Sequence, residues 1–355
     1  MQKAFLRSTI TDTFVNKSQL RRAAPRASNE MQQQVSLLVD HDQPSSKIEQ
    51  LIRDTENELR IISAFSKHQF FSDEATLIQS ICNYFHSNNT DKKALYIGFS
   101  LCFVPEHCLC FPQLRGAKYF LFKNTDQISA VIVDPLYMIQ NAVDFAQRIY
   151  LLREMCKKNN IPFLIDERKT LARLHRKGLN EIYQFQADGL LLGENISNGL
   201  PFGVFAHNDP YLKSSEDWRP LCASAAAMRA CQEKAKTIAR QSNTFYLQWN
   251  ELGHALCAAV NRRLSREYPR GVLRNCGSIV WTLNFGCRRM QKALRAAKVI
   301  QSAENCIYLP EQPSQNKRIE NKIVALLRKK KPAAKIAAGQ INKKQKLLQI
   351  IQSGR

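Results

Sequence analysis

Continuous hydrophobicity is the first thing this sequence lacks. No apolar run in its 355 residues approaches the ~18–20 needed to span a bilayer. The opening segment, residues 1–15, alternates polar and apolar side chains, so no secretory signal is expected. Paired metal-ligand spacing is missing as well. Of eleven cysteines none forms a CxxC, and the closest two, Cys108 and Cys110, stand one residue apart, which gives no zinc framework. Cys82, Cys156, Cys231, Cys257 and Cys306 sit singly in apolar segments. An odd thiol count without a leader reads as buried, reduced cysteine in a cytoplasmic protein. No internal repeat is visible. Aromatic residues stop at Tyr308, which excludes base stacking by everything after it.

Acidic residues are also in short supply, 30 against 52 lysines and arginines, for a formal charge of +22. Half of that excess lies in residues 317–355, where twelve basic residues face a single acid, Glu320. Such a tail either remains a solvated, self-repelling segment or meets an anionic partner, nucleic acid or acidic lipid, through nonspecific phosphate contacts. The rest has the composition of a globular chain, 44% hydrophobic, long enough for two domains.

Residues 1–45 are read as a polar N-terminal segment. Helical spacing is expected over 48–61 and 73–85. Strand-like apolar runs follow at 94–99, 119–123, 129–133, 161–165, 189–192 and 202–205, with a helix over 145–158. Consecutive apolar positions suit parallel strands covered on both faces, and the alternation of strands with helices argues for an α/β fold. A long helical region over 223–267 is broken near Ser242-Asn243. A strand (278–285), a helix (288–297), a strand (306–309) and a helix (319–328) complete a smaller domain. The expected organisation is a polar N-terminal segment (1–45), a large domain (46–222), a long helix with a small C-terminal α/β domain (223–331), and a basic tail (332–355).

Two strand ends carry the chemistry. The run Leu164-Ile165-Asp166-Glu167-Arg168-Lys169-Thr170, with Arg173 beyond, follows one buried strand. Twenty-eight residues after Asp166 comes Leu192-Gly193-Glu194-Asn195-Ile196-Ser197-Asn198-Gly199-Leu200-Pro201-Phe202-Gly203. A lone aspartate at a strand end is usually a turn or a cap. Two such segments at this separation resemble the class III, pyridoxal-phosphate-dependent aminotransferases, and in particular the glutamate-1-semialdehyde aminomutase branch. In that pattern an apolar pair, Asp, Glu, then an apolar residue or Gln, precedes Thr-Gly-Phe-Arg, and the second segment reads Leu-Gly-Lys-x-Ile-Gly-Gly-Gly-Leu-Pro-x-Gly. The strand 130–135, with Asp134 for the family's Glu, the helix around Leu151-Leu152-Arg153-Glu154, and the segment Asn275-Cys276-Gly277-Ser278 extend the likeness.

The resemblance implies an aminotransferase-like large domain with a mainly parallel sheet covered by helices, a small α/β domain, and a dimer, either with itself or with a related chain. It implies pyridoxal phosphate, with Asp166 at the position that pairs with the pyridine nitrogen and keeps the ring an electron sink. The departures fall on that same cofactor. Glu194 stands where the family has its Schiff-base lysine, and a carboxylate cannot form an imine. The phosphate cup, Ser-Gly-Thr-Glu-Ala at a helix start, reads Phe71-Ser72-Asp73-Glu74-Ala75, so that Ser72 and Asp73 form a degenerate cup in which Asp73 repels phosphate. Pro220 replaces a threonine from the partner subunit, and Ser100-Leu101-Cys102 replaces the aromatic segment that stacks on the ring. Lys169, although close to Asp166 in sequence, shows no sign of pointing into the cleft. Three functions follow as expectations: a non-catalytic partner or regulator that keeps the scaffold without the cofactor grip; an active aminomutase, converting glutamate-1-semialdehyde to 5-aminolevulinate, or a transaminase with non-standard cofactor binding; and anion binding through the tail.

Overall fold

The computed structural model describes residues 45–88, 90–98, 104–111, 114–136, 144–208, 223–266, 273–276, 279–282, 306–309 and 314–328. Residues 1–44 and 332–355, Ser100-Leu101-Cys102, Pro220 and the expected helix over 288–297 lie outside the described residues. The chain divides into two compact units, at Ser242/Asn243.

The first unit is built on a seven-stranded sheet in the order β1-β7-β6-β5-β4-β2-β3. Its strands are β1 (Lys67–Phe71), β2 (Lys93–Ile97), β3 (Cys108–Phe111), β4 (Ile128–Val133), β5 (Phe163–Asp166), β6 (Gly189–Leu192) and β7 (Gly203–His207). The five strands from β3 to β6 run parallel, while β7 is antiparallel to both β6 and β1. The apolar run near 202–205 is therefore buried on both faces, as expected, without being a parallel strand. Every residue of β4, β5 and β6 is buried, which requires cover on both sides of the sheet.

The helices supply that cover through apolar faces at helical spacing. Helix α1 (Ser45–Ser63) precedes the sheet, and α2 (Glu74–Ser87) buries Leu77, Ile78, Ile81, Cys82, Tyr84 and Phe85. These meet Tyr96, Ile132, Leu164, Leu191 and Phe205 in one apolar cluster. Asp73 is the N-cap of α2, its Oδ1 accepting from the Thr76 amide at 2.8 Å.

Residues 119–123 correct the sequence reading. They were expected as a strand and lie instead in helix α3 (Leu114–Lys123). Ala117 and Leu121, four apart, are buried, whereas Tyr119 and Phe122 are exposed. The apolar run thus covers two faces of a helix, of which one packs inward. Helix α4 (Phe145–Lys158) has the expected bounds and buries Phe145, Ile149, Leu152 and Cys156. A short helix, α5 (Gly178–Tyr183), precedes β6.

Helix α6 (Ala225–Arg240), N-capped by Ser224, packs on α1. Gln232 Nε2 donates to Thr55 Oγ1 at 3.0 Å and Lys236 pairs with Glu58 at 3.5 Å. The helix that the sequence reading joined to the small domain thus lies with the first unit. The second unit holds α7 (Asn243–Arg263), a three-stranded antiparallel sheet of β8 (Leu273–Cys276), β9 (Ile279–Thr282) and β10 (Cys306–Tyr308), and α8 (Ser314–Arg328). Its core joins Tyr246, Trp249, Leu256 and Val260 to Ile323, Val324 and Leu327. No described helix is long and apolar enough to cross a membrane.

Candidate functional site

The carboxyl ends of parallel strands are where α/β sheets leave a crevice. Here the ends of β2, β4, β5 and β6 bring ionisable groups together with the start of α2. Asp166 is the last residue of β5 and is buried. Its Oδ1 accepts from Arg168 Nε at 2.8 Å and from the Arg168 amide at 3.2 Å. Its Oδ2 accepts from Arg168 Nη2 at 2.7 Å and from the Tyr96 hydroxyl, on β2, at 2.7 Å. Burial alone would raise the Asp166 pKa, but the Arg168 charge and these hydrogen bonds outweigh it and hold the carboxyl below its usual range. Burial would also lower the pKa of Arg168, yet Asp166 and Glu74 keep the guanidinium firmly protonated. Burial and the neighbouring Asp166 push the Tyr96 phenol well above its ordinary value, so it remains a donor.

Glu74, the first residue of α2, is the second centre. Its Oε2 accepts from Arg168 Nη1 at 3.0 Å and from Lys169 Nζ at 3.3 Å, and its Oε1 accepts from the Glu194 amide at 3.1 Å. A carboxylate at a helix N-terminus is favoured by the helix dipole. The segment before Glu194 has to stay narrow for this contact, since a Cβ on Gly193 would run into Glu74 Oε1.

Glu194 opens a single helical turn, Glu194–Ile196, just after β6. Burial first, then the Glu74 carboxylate beside it, raise its pKa to about 7, with Lys169 acting in the opposite sense. Behind the turn, Ser197 Oγ donates to Leu200 O at 2.6 Å, and Asn198 and Gly199 take left-handed conformations at φ 55° and 82°. Asparagine tolerates that region better than most side chains, so the missing glycine at 198 leaves the turn intact. Arg173, matched in the sequence reading, donates to Asn195 Oδ1 at 3.0 Å and fastens the same turn.

The residues read as a degenerate phosphate cup are bonded among themselves. Ser72 Oγ donates to Asp73 Oδ2 at 2.9 Å, and Thr76 Oγ1 donates to the same oxygen at 3.1 Å. A Cβ on Gly203 would sit 2.7 Å from the Asp73 carbonyl, so β7 and the start of α2 touch backbone to backbone. Asp134, at the end of β4, accepts from the Leu136 amide at 3.0 Å and shapes the turn leaving that strand. Glu167 is buried next to Asp166 but faces away. Its carboxyl accepts from the amides of Leu179 and Asn180 at 2.6 and 2.7 Å and from the Thr170 hydroxyl, capping the start of α5. Burial raises the Glu167 pKa to about 7 despite those donors.

The structure places Asp166, Glu194 and Asp73 in one region together with Arg168, Glu74, Tyr96 and Lys169. The Lys169 side chain, whose direction the sequence did not indicate, reaches Glu74 Oε2 at 3.3 Å. The available signal was a charged residue, Arg168, at the position where the resemblance has an apolar residue or Gln. A buried carboxylate next to a buried arginine is stable only when the two are paired.

Comparison with known proteins agrees with this architecture. No family model matches the chain. A glutamate-1-semialdehyde 2,1-aminomutase from Flavobacterium psychrophilum is 28% identical over 153 residues, 39% of this chain and 36% of that enzyme. An uncharacterised aminotransferase of Schizosaccharomyces pombe is 38% identical over 89 residues, 24% of this chain and 19% of the relative. The chain thus spans about a third or less of the length of these curated relatives. Among solved structures, an omega-transaminase from Sphaerobacter thermophilus superposes with a TM-score of 0.64 at 15% identity, covering 83% of this chain and 81% of that one. A glutamate-1-semialdehyde aminomutase from Pseudomonas aeruginosa gives 0.61 at 13% identity, covering 80% and 76%. The chain thus shares the fold of these aminotransferases and, over about two fifths of its length, is similar in sequence to a glutamate-1-semialdehyde 2,1-aminomutase.

Proposed function

We propose that this chain is a non-catalytic relative of the aminotransferases, one that keeps the scaffold and acts as a partner or regulator, pairing with a second copy or a related chain. The observation that carries the reading is the charge at the end of β6. Four carboxyl groups, Asp73, Glu74, Asp166 and Glu194, share the cleft with two cations, Arg168 and Lys169, and both cations are already paired with acids. An anionic phosphorylated cofactor would meet a site of its own sign. The group at the family's lysine position supplies no amine, and the helix start that would cradle phosphate is capped by Asp73. Among the described residues Lys169 is the lysine seen at this cluster, and its Nζ is engaged by Glu74 at 3.3 Å rather than left open to an aldehyde.

The family implies pyridoxal phosphate, whose chemistry is to withdraw electrons from a bound amine through a protonated ring. The residues present do not fit that group. The deciding experiment mixes the full chain with pyridoxal phosphate, records the spectrum, reduces with borohydride and maps any adduct. The expected result is no specific new absorbance and no adduct at a single lysine. A stoichiometric adduct at Lys169, or formation of 5-aminolevulinate from glutamate-1-semialdehyde, would overturn the proposal in favour of an active enzyme.

A further inference from the structure

The Asp166 carboxylate is fully engaged by the chain itself. Arg168 meets it with two parallel N–H···O bonds at 2.8 and 2.7 Å, the fork geometry in which a guanidinium recognises a carboxylate most strongly. The remaining Nη1 edge of Arg168 reaches Glu74 at 3.0 Å, and the Tyr96 hydroxyl takes the last good direction on Asp166 Oδ2. The side chains of Arg168 and Asp166 are 4% and 1% exposed, so this planar cation fills the volume directly in front of the carboxylate.

We infer that Arg168 is the resident cation of this site, its guanidinium holding Asp166 in the way a protonated ring nitrogen would and closing the crevice with the protein's own side chain. The inference rests on the reading of Asp166 as the ring-nitrogen carboxylate. A flat aromatic cation and a guanidinium present the same features to a carboxylate, positive charge and in-plane N–H donors, so one can replace the other. The carboxylate therefore needs no external ligand for its charge to be balanced. An incoming heteroaromatic cation would have to displace a buried arginine from two acids at once. Arg168 also ties β5 to the start of α2 through Glu74, a link that the fold makes without any small molecule.

The test uses the full chain and thermal unfolding at about pH 6, comparing the unaltered protein with Arg168→Ala, Arg168→Lys and Arg168→Gln. The probe is 2-aminopyridine, which is protonated there into a flat aromatic cation with adjacent N–H donors. Removing one partner of a buried pair is expected to lower the Arg168→Ala melting temperature by roughly 10 °C. Millimolar probe should recover several degrees in that variant and none in the unaltered chain, because only the variant offers an open cation site. If Arg168→Ala does not fold, the other two variants decide. Arg168→Lys, which keeps the charge, should melt well above Arg168→Gln, and equal losses would overturn the inference. A folded Arg168→Ala that ignores the probe overturns it as well, while leaving the proposed function intact. Capture of pyridoxal phosphate by the unaltered chain would defeat the proposed function instead.

Discussion

Replacing Glu194 by Gln should stabilise the protein above neutral pH and leave it unchanged in acid. The carboxyl is lifted from 4.5 to about 7 by burial and by the adjacent Glu74. Its folded-state pKa is thus raised above the unfolded value. The stability it allows is complete below about pH 4.5 and is lost as pH rises through about 7. A displacement of that size corresponds to about 3 kcal/mol of disfavoured ionisation, and the side chain's partial exposure brings the expectation nearer ~2 kcal/mol. Glutamine keeps the shape without the charge. The stability difference between Glu194→Gln and the unaltered chain should be near zero at about pH 4 and reach ~2 kcal/mol at about pH 8. For the larger unit that is a gain of ~4–8 °C in melting temperature. Urea or thermal unfolding across this range measures it. Taking the difference between the two proteins removes the contribution of Glu167, which titrates in the same region. A gain that does not change with pH, or a loss at pH 8, would refute the electrostatic account of this cleft.

Two further substitutions probe the same corner. Asp73→Ala removes the N-cap of α2 and should cost ~1 kcal/mol at about pH 5. The cost should be smaller at pH 8, because the ionised Glu194 then loses a like-charged neighbour; pH-resolved denaturation reads both. Gly203→Ala should destabilise by more than Gly193→Ala. The new methyl would press on the Asp73 carbonyl in the first case and on the movable end of the Glu74 side chain in the second. Equal melting temperatures for the two variants would contradict this.

The scaffold was legible where hydrophobicity is continuous or strictly helical. The interior strands around Ala130, Leu164 and Leu190, and the face of Phe145, Ile149, Leu152 and Cys156, declare themselves because both depend on burial alone. The edge strand β1, Lys-His-Gln-Phe-Phe, does not, since its polar first residues carry no alternation and only its pairing with β7 makes it a strand. Residues 119–123 mislead for the opposite reason. Four apolar positions in five suggest a buried strand until the helix that begins at Leu114 turns Tyr119 and Phe122 outward.

In the site, Asp166, Glu194 and Asp73 were marked only by the resemblance of their segments to the aminotransferases, since position alone would read Asp166 as a turn or a cap. What joins them was not marked at all. Glu74 becomes a hub because α2 starts opposite the ends of β5 and β6, and Arg168 finds its partners through the same approach. Neither relation is written in any local run of residues. Lys169 shows the limit most clearly. Its neighbours in sequence give no direction for its side chain, while Glu74, ninety-five positions earlier, does.

These separations bear on how the protein comes to be folded. The bonds from Arg168 to Glu74, from Glu194 to Glu74 and from Tyr96 to Asp166 close loops of 94, 120 and 70 residues. Contacts that distant carry a loop-closure cost and gain little until the strands between them have paired. The ion cluster is therefore expected to complete late, after the sheet has registered, which low φ-values for Glu74 and Arg168 variants would show. Its members act on the lifetime of the native state more than on the speed of reaching it, and the cluster serves as a kinetic clasp on a sheet already assembled.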